Sequence, residues 1–270
     1  MPISFFKTHK VYSYHQPELM VFKSSGTTGS IRSQHYIAKP ALYKKSFTLG
    51  FKNTFGAIDD YCILALLPGY YERKDASLIY MVQELMNLSG HPDNGYFLDD
   101  FKALHRRLIE KATAGEKVIL FGVTHALLDF SEYFSGSIPN TIVIETGGMK
   151  GRKKEIIRKE LHHQLKAALH CASVYSEYGM TELLSQAYAK DGEYFVVPAW
   201  MKISVRDLRD PMHYLEINQN GGINIIDLAN LYSCPFIATD DIGRMLDKNQ
   251  CAVLGRIDNS ESRGCSLMYF

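Results

Sequence analysis

Short apolar runs alternate with amphipathic stretches from Val21 to about Leu184. Tyr61 to Leu67 (YCILALL), Lys117 to Phe121 (KVILF) and Thr141 to Ile144 (TIVI) are apolar at successive positions and bounded by Gly, Pro or Asn. That is the pattern of strands covered on both faces. Between them, Ala76 to Leu88 places Leu78, Ile79, Val82, Leu85 and Met86 on one stripe and ends at Gly90, while Phe101 to Ala114 places Leu104, Leu108 and Ile109 on one stripe and ends at Gly115. Ile157, Leu161, Leu165 and Ala168 repeat the period before Cys171. These are amphipathic helices with glycine stops. Strand, helix, strand predicts a largely parallel sheet with right-handed crossovers, an α/β architecture.

After about Gln186 the texture changes. Tyr194 to Val197, Lys202 to Val205, Ile223 to Ile226 and Cys251 to Leu254 are short β-type runs separated by Asp, Asn and Gly, including Gln219-Asn220-Gly221-Gly222, which reads as a turn. The expected organisation is an α/β domain over residues 1–185 and a smaller β-rich subdomain with a C-terminal tail over residues 186–270.

Composition narrows the classes. With 270 residues, 46% hydrophobic and 22% charged, the chain is neither disordered nor low-complexity. A net charge of +1 provides no overall field to recruit nucleic acid or an anionic membrane, so phosphate chemistry has to be local. Five widely spaced cysteines without a C-x-x-C pair argue against a disulfide framework or a cysteine zinc site. The apolar stretch between Pro2 and Lys7 is too short for a signal peptide, and the longest run without a polar residue, Cys62 to Pro68, is far short of a membrane span. A cytoplasmic protein with reduced thiols, no membrane span and no nucleic-acid partner is expected.

Three segments carry chemistry. Ser24-Ser25-Gly26-Thr27-Thr28-Gly29-Ser30 follows the apolar pair Val21-Phe22. Its glycines let consecutive N–H groups converge and its hydroxyls add donors, which is what a pyrophosphate requires. It is not a Walker loop, because Ser30 stands where that motif needs lysine; alone, it reads equally as a surface loop. Tyr175-Ser176-Glu177-Tyr178-Gly179-Met180-Thr181-Glu182 precedes the pattern LLSQAY, which reads as helical, so Thr181 suits an N-cap and Glu182 a first turn. The functional alternative is phosphate on Thr181 and magnesium on Glu182. Thr239-Asp240-Asp241-Ile242-Gly243-Arg244 and Gly255-Arg256-Ile257-Asp258 are, taken singly, solvated turns.

Their joint order, with Gly147-Gly148 between the first two, resembles the adenylate-forming superfamily of acyl-CoA synthetases, peptide-synthetase adenylation domains and luciferase-type ligases. Within it, Pro2 to Lys7, Ser24 to Ser30, Glu145-Thr146-Gly147-Gly148-Met149-Lys150-Gly151 and Arg263-Gly264-Cys265-Ser266-Leu267 look like the acyl-protein synthetase (LuxE-like) family of bacterial bioluminescence. The resemblance covers nearly the whole chain. It implies the large α/β domain of adenylate-forming enzymes, with ATP and Mg2+ as cofactors. The implied reaction is activation of a fatty or other carboxylic acid as an acyl adenylate, followed by transfer to a protein cysteine thiol, with an acceptor or reductase protein as partner.

By the same resemblance, Ser24, Ser25, Gly26, Thr27, Thr28 and Gly29 cover the phosphates, Gly147, Gly148, Tyr178 and Gly179 line the adenine, and Thr181 with Glu182 holds phosphate and magnesium. Asp241 accepts from the ribose hydroxyls, as an ionised carboxylate facing two donors does, and Arg256 assists. Cys265 carries the acyl group. The chain departs from the pattern in several places, among them a spacing from Gly255-Arg256-Ile257-Asp258 to Arg263-Gly264 that is one residue shorter than is common. Ile31-Arg32 stands for the usual Pro then Lys, Thr239-Asp240-Asp241 stands for T-G-D, and the chain stops at Phe270, so the C-terminal lid with its lysine is expected to be absent. Lys150, with Arg32 as the alternative, is the cation expected to assist attack on the α-phosphate. Two other readings stay open: a coenzyme A ligase of phenylacetate type, and a non-catalytic homologue that binds nucleotide or a partner. His162, His163 and His170 lack a completing Cys or carboxylate and read as a polar helix face; the basic run Lys150 to Lys159 reads as solvated.

Overall fold

Val118 to Val123 are six consecutive buried residues, and Cys62 to Leu66 are five. A strand covered on both faces buries such a run completely. In the computed structural model, which describes residues 1–25, 31–68, 73, 75–147, 157–191 and 194–257, these runs form the middle of a wide sheet. In chain order the elements are α1 (Phe5–Thr8), β1 (Met20–Lys23), β2 (Gln34–Ile37), α2 (Pro40–Phe55), β3 (Cys62–Leu66), α3 (Ser77–Ser89), β4 (Gly95–Tyr96), α4 (Phe101–Thr113), β5 (Val118–Val123) and α5 (Thr124–Tyr133). There follow β6 (Thr141–Thr146), α6 (Arg158–Leu169), β7 (Ser173–Tyr178), β8 (Ala187–Lys190), β9 (Phe195–Val196), β10 (Met201–Arg206), β11 (Gly221–Asp227), β12 (Phe236–Met245) and β13 (Gln250–Arg256).

Among the described residues, eleven strands make one sheet in the order β10-β11-β12-β13-β9-β8-β7-β6-β5-β3-β4. From β4 to β7 every pairing is parallel, and from β7 to β10 every pairing is antiparallel. The parallel half is the α/β architecture that the alternating pattern predicts. A separate two-stranded ladder pairs β1 with β2.

Helices α3 and α4 close as expected for an amphipathic stripe. Gly90 caps α3 with φ +64°, and the Asp100 side chain accepts from Ala103 N at the start of α4. Helix α2 lays Tyr43, Phe47, Phe51 and Phe55 into the main core with Leu64, Leu120 and Leu165. Truncating Phe51 to Ala there would cost about 3–5 kcal/mol. A second core lies under the antiparallel strands and contains Leu183, Phe195, Ile203, Ile223, Ile225 and Cys251.

Two local readings are corrected. Gly221 and Gly222 lie inside β11 rather than in a turn, because a Cβ at Gly221 would collide with the Arg206 carbonyl across the ladder. The reversal comes earlier, where Gln219 N donates to Glu216 O at 3.2 Å and Asn218 adopts φ +67°. The three histidines do not share a polar face. His162 is buried, and His170 caps α6 in the left-handed region at φ +47°. No described helix is long and apolar enough to cross a membrane.

Candidate active site

Strands β1 and β2 carry the two ends of the Ser/Thr/Gly segment. Ser24 N donates to Ser33 O at 3.1 Å and Ser33 N donates to Ser24 Oγ at 2.9 Å, closing a neck just beyond the paired strands. Arg32 Nε and Arg73 Nη2 both donate to the Ser24 carbonyl, at 2.6 and 2.7 Å, and Arg32 pairs with Asp75 at 3.2 Å. Two guanidinium groups at one neck suit the binding of phosphate oxygens. Ser25 is exposed. Arg32 is therefore already engaged at the neck, and Arg73, which no sequence motif marks, joins it. Gly26, Thr27, Thr28, Gly29, Gly148, Lys150 and Cys265 lie outside the described residues.

Thr181 and Glu182 form a turn that leads into β8, so Thr181 is not a helix N-cap. The reason is burial: residues 183–189 are all buried, and a surface helix would have turned one face of LLSQAY to solvent. Asp227 also fixes the extended course, accepting from Leu184 N at 2.9 Å and Ser185 Oγ at 2.6 Å. His35 Nδ1 holds the Thr181 carbonyl at 2.8 Å, its Nε2 meets Ser233 Oγ at 2.8 Å, and Asn230 Nδ2 donates to the Glu182 carbonyl at 2.7 Å. Desolvation lowers His35 to about 4, so the ring is neutral at physiological pH. Glu182 is itself buried. Desolvation raises its carboxyl, while a hydrogen bond from the Ser33 side chain and the charges of Arg256 and Lys7 oppose that rise. The neck and the turn are thus joined through Ser33 and His35, which lack any recognisable spacing in the sequence.

Tyr178, at the end of β7, donates from its hydroxyl to Asp241 Oδ2 at 2.7 Å. Asp241 is buried, its N–H donates to Thr239 Oγ1 at 3.2 Å, and Arg256 stands opposite it in the β12–β13 register with Nε 3.4 Å from Oδ1. Desolvation raises the Asp241 carboxyl, and the Tyr178 and Arg256 contacts partly offset that. The Arg256 side chain is 75% exposed, so the ion pair itself adds little to stability and leaves the guanidinium accessible. Of the residues named from sequence, Thr181, Glu182, Tyr178, Asp241 and Arg256 gather here, with Ser24 joined through the neck.

At the ends of the neighbouring parallel strands, Thr146 pairs in register with Glu177 and donates to its carboxylate, and Gly147 follows with φ +80°. Gly179 is also constrained, since a Cβ there would collide with Glu177 Oε1. Burial pushes Glu177 up to about 7, with the nearby Glu145 charge adding to the rise and the Thr146 hydrogen bond opposing it. On the opposite face of the same strands, Glu145 accepts from Thr124 Oγ1 at 2.6 Å and from Ser176 Oγ, and His162 Nε2 meets Ser176 Oγ at 2.8 Å. The site therefore lies outside the carboxyl ends of the parallel strands, where open α/β sheets bind ligands.

Magnesium takes one or two carboxylates together with phosphate oxygens and water, so Glu182 beside a phosphate-suited neck fits it. No group of three or more His, Cys, Asp or Glu able to hold a metal occurs among the described residues.

No protein-family model matches the chain, and no curated protein matches it in sequence. Solved structures do. ATP-bound MatB from Rhodopseudomonas palustris superposes with TM-score 0.63 at 15% identity, over 87% of this chain and 47% of that one. A long-chain-fatty-acid-CoA ligase from Archaeoglobus fulgidus gives TM-score 0.63 at 15% identity, over 89% and 52%. An open 2-hydroxyisobutyryl-CoA ligase, in complex with 2-HIB-AMP and CoA, gives 0.64 at 12% identity, over 92% and 60%. The chain shares the fold of these structures over most of its own length, and it spans about half to three fifths of theirs.

Proposed function

We propose that the chain activates a carboxylic acid of the long-chain fatty class with ATP and passes the acyl group to a protein cysteine thiol, in the manner of an acyl-protein synthetase. The observation that carries the ATP half is the meeting of Tyr178, Asp241 and Arg256 within one cluster, close to a turn whose Glu182 is buried against the neck of the Ser/Thr/Gly segment. In this reading Asp241 accepts from the ribose hydroxyls, Tyr178 flanks the base with Gly147, Gly148 and Gly179, and Thr181 donates to phosphate. Arg32 and Arg73 set a positive neck at the Ser24 carbonyl, and Ser24 to Gly29 would cover the phosphates. Glu182 would hold magnesium, which neutralises phosphate charge when bound. Lys150 would steady the attacking carboxylate. The carboxylate oxygen bonds to the α-phosphorus, pyrophosphate leaves, and the thiolate then displaces AMP from the acyl carbon.

For the acceptor, Cys62, Cys171 and Cys251 are buried, and burial pushes their thiols up to about 12, 11 and 12. Such thiols are not nucleophiles at neutral pH. That leaves Cys234, which is partly exposed, and Cys265 as candidates, and the family resemblance favours Cys265, two residues after Arg263. The names of the matched ligases favour a second reading, in which coenzyme A is the acceptor.

The test is acid-dependent ATP–pyrophosphate exchange, followed by peptide mass spectrometry for a hydroxylamine-sensitive adduct. Glu182→Gln should lower exchange about a hundredfold. An adduct retained in Cys265→Ser, or found on Cys62, Cys171, Cys234 or Cys251, would refute the acceptor, and turnover with free coenzyme A would favour the second reading.

A further inference from the structure

The first residues of the chain are fastened to both halves of the candidate site, yet in the proposed reaction they have no task. Ala238 N donates to Met1 O at 2.8 Å and Ile3 N donates to Ala238 O at 2.9 Å, three positions before Asp241 on β12. Ile3 and Phe6 are buried in the second core together with Tyr178 and Leu183. The Phe6 ring meets the His35 ring edge-on with centroids 5.3 Å apart, and His35 holds the Thr181 carbonyl. Helix α1 is therefore fixed both to the strand that carries Asp241 and to the turn that carries Glu182.

Lys7 follows Phe6 in α1 and is exposed, with its backbone N–H donating to Ser4 O at 2.9 Å. Among the described residues its ammonium has no ion-pair partner. Its charge nevertheless acts on the buried Glu182 carboxyl, as does that of Arg256, whose side chain is 75% exposed. Two exposed cations thus face one buried carboxylate, which also accepts from the Ser33 side chain. Arg256 is already paired with Asp241 at 3.4 Å, whereas Lys7 closes no such pair and is available to a second anion. An ammonium is a compact point charge with three donors, a good match for the oxygens of a phosphate.

We propose that Lys7 binds the phosphate chain of ATP next to Glu182 and neutralises its charge as pyrophosphate leaves. This rests on the adenylation reading above. Glu182 alone would repel those phosphates, and a lysine beside it offsets the repulsion before any metal is bound. The carboxylate of the acid is the other anion in that reaction, and the experiment separates the two.

The experiment measures binding of ATP and of adenosine by calorimetry, without and with magnesium, to wild type, Lys7→Met and Lys7→Arg, with ATP–pyrophosphate exchange alongside. Lys7→Met should weaken ATP about tenfold or more in both conditions and leave adenosine within about twofold, and Lys7→Arg should recover most of the loss. Because Lys7 is exposed, the urea midpoint should not move, which separates a lost contact from lost folding. Equal losses for ATP and adenosine, or an ATP affinity that Lys7→Met leaves within about twofold, overturn the proposal. So does exchange in which the KM for the acid rises about tenfold and that for ATP does not, which would put the lysine on the carboxylate. Should no acid support exchange in the wild type while the contrast between ATP and adenosine holds, the adenylation reading fails and the Lys7 assignment stands. A wild type that binds neither ATP nor adenosine refutes both.

Discussion

The α6 face and the α2 face of β7 are separated by a single peptide alternation, yet their polar groups are treated in opposite ways. On the α6 face, Glu145 accepts from Thr124 and Ser176, Ser176 meets His162 and Tyr178 meets Asp241, and His162 Nδ1 is the one atom of this set buried without a partner. On the α2 face, the Gln186 carbonyl and the Tyr188 hydroxyl are buried without partners, and Glu177 is held by Thr146 through one oxygen. A network closed on itself stabilises a fold, whereas one left open costs stability until something binds. The two faces of one strand thus differ in how fully their buried polar groups are satisfied.

Breaking the closed side should have the largest effect. Glu145→Ala strips both Thr124 and Ser176 of a buried acceptor, leaves His162 bonded to an unsupported hydroxyl, and opens a cavity. Its expected cost is about 4 kcal/mol, read as a lowered urea midpoint at unchanged m-value. A loss below about 1 kcal/mol would mean that the network is not structural. Acid attacks the same side next. His162, desolvated and close to Arg158, has its pKa lowered to about 4 from an ordinary 6.5. Above pH 6.5 both folded and unfolded forms are neutral and the group contributes nothing. As pH falls from 6.5 to 4, the unfolded chain takes up a proton that the folded chain refuses. Stability therefore falls by about 1.4 kcal/mol per pH unit, about 3 kcal/mol in all. The advantage of wild type over His162→Gln should shrink by that amount between pH 6.5 and 4 in parallel urea titrations, and a constant gap would contradict a neutral buried ring.

Glu177 on the open side titrates with the opposite sign, because its folded pKa of about 7 is above the unfolded value. It contributes stability that is present below pH 4.5 and lost as pH rises through 7. Glu177→Gln should remove that loss, leaving the variant relatively more stable at pH 8 than at pH 5 by about 2 kcal/mol compared with wild type.

How legible this was in the chain depended on how far apart the partners lie. Runs such as Val118 to Val123 declare themselves, since continuous apolarity between turn residues has few other uses, and the glycine after α3 marks its end. The pattern LLSQAY did not, because a fully buried segment carries no period by which to tell helix from strand. Glu182 and Asp241 stood within recognisable motifs. His35 and Asn230, which fix the Glu182 turn from 146 and 48 positions away, belong to no local pattern and become visible only once the chain folds. Glu177 was quoted within its motif without a role, because alternation along a strand shows that it opposes Tyr178 only after the segment is known to be extended.

A smaller effect sharpens the nucleotide side. Asp241 is buried against Tyr178, whereas Asp240 turns the other way, its carbonyl accepting from Ile257 N at 2.7 Å and its charge acting on Arg206. Asp241→Asn should raise the ATP concentration needed for half-maximal exchange about tenfold, and Asp240→Asn about twofold or less. The reverse ranking would move the ribose contact to the neighbouring strand face.

The last expected effect is the smallest and has the unusual sign. Gln186→Leu replaces a buried amide whose carbonyl has no partner with an apolar side chain of similar length, set between Leu184, Ala187 and Tyr188 in a fully buried stretch. Removing an unsatisfied buried acceptor while keeping volume recovers its desolvation cost, so the free protein should gain about 1 kcal/mol and melt a few degrees higher. A glutamine that merely completed the core would give the opposite result, since its loss would break contacts. A variant that is destabilised would place Gln186 among the structural groups and erase the contrast between the two faces of β7.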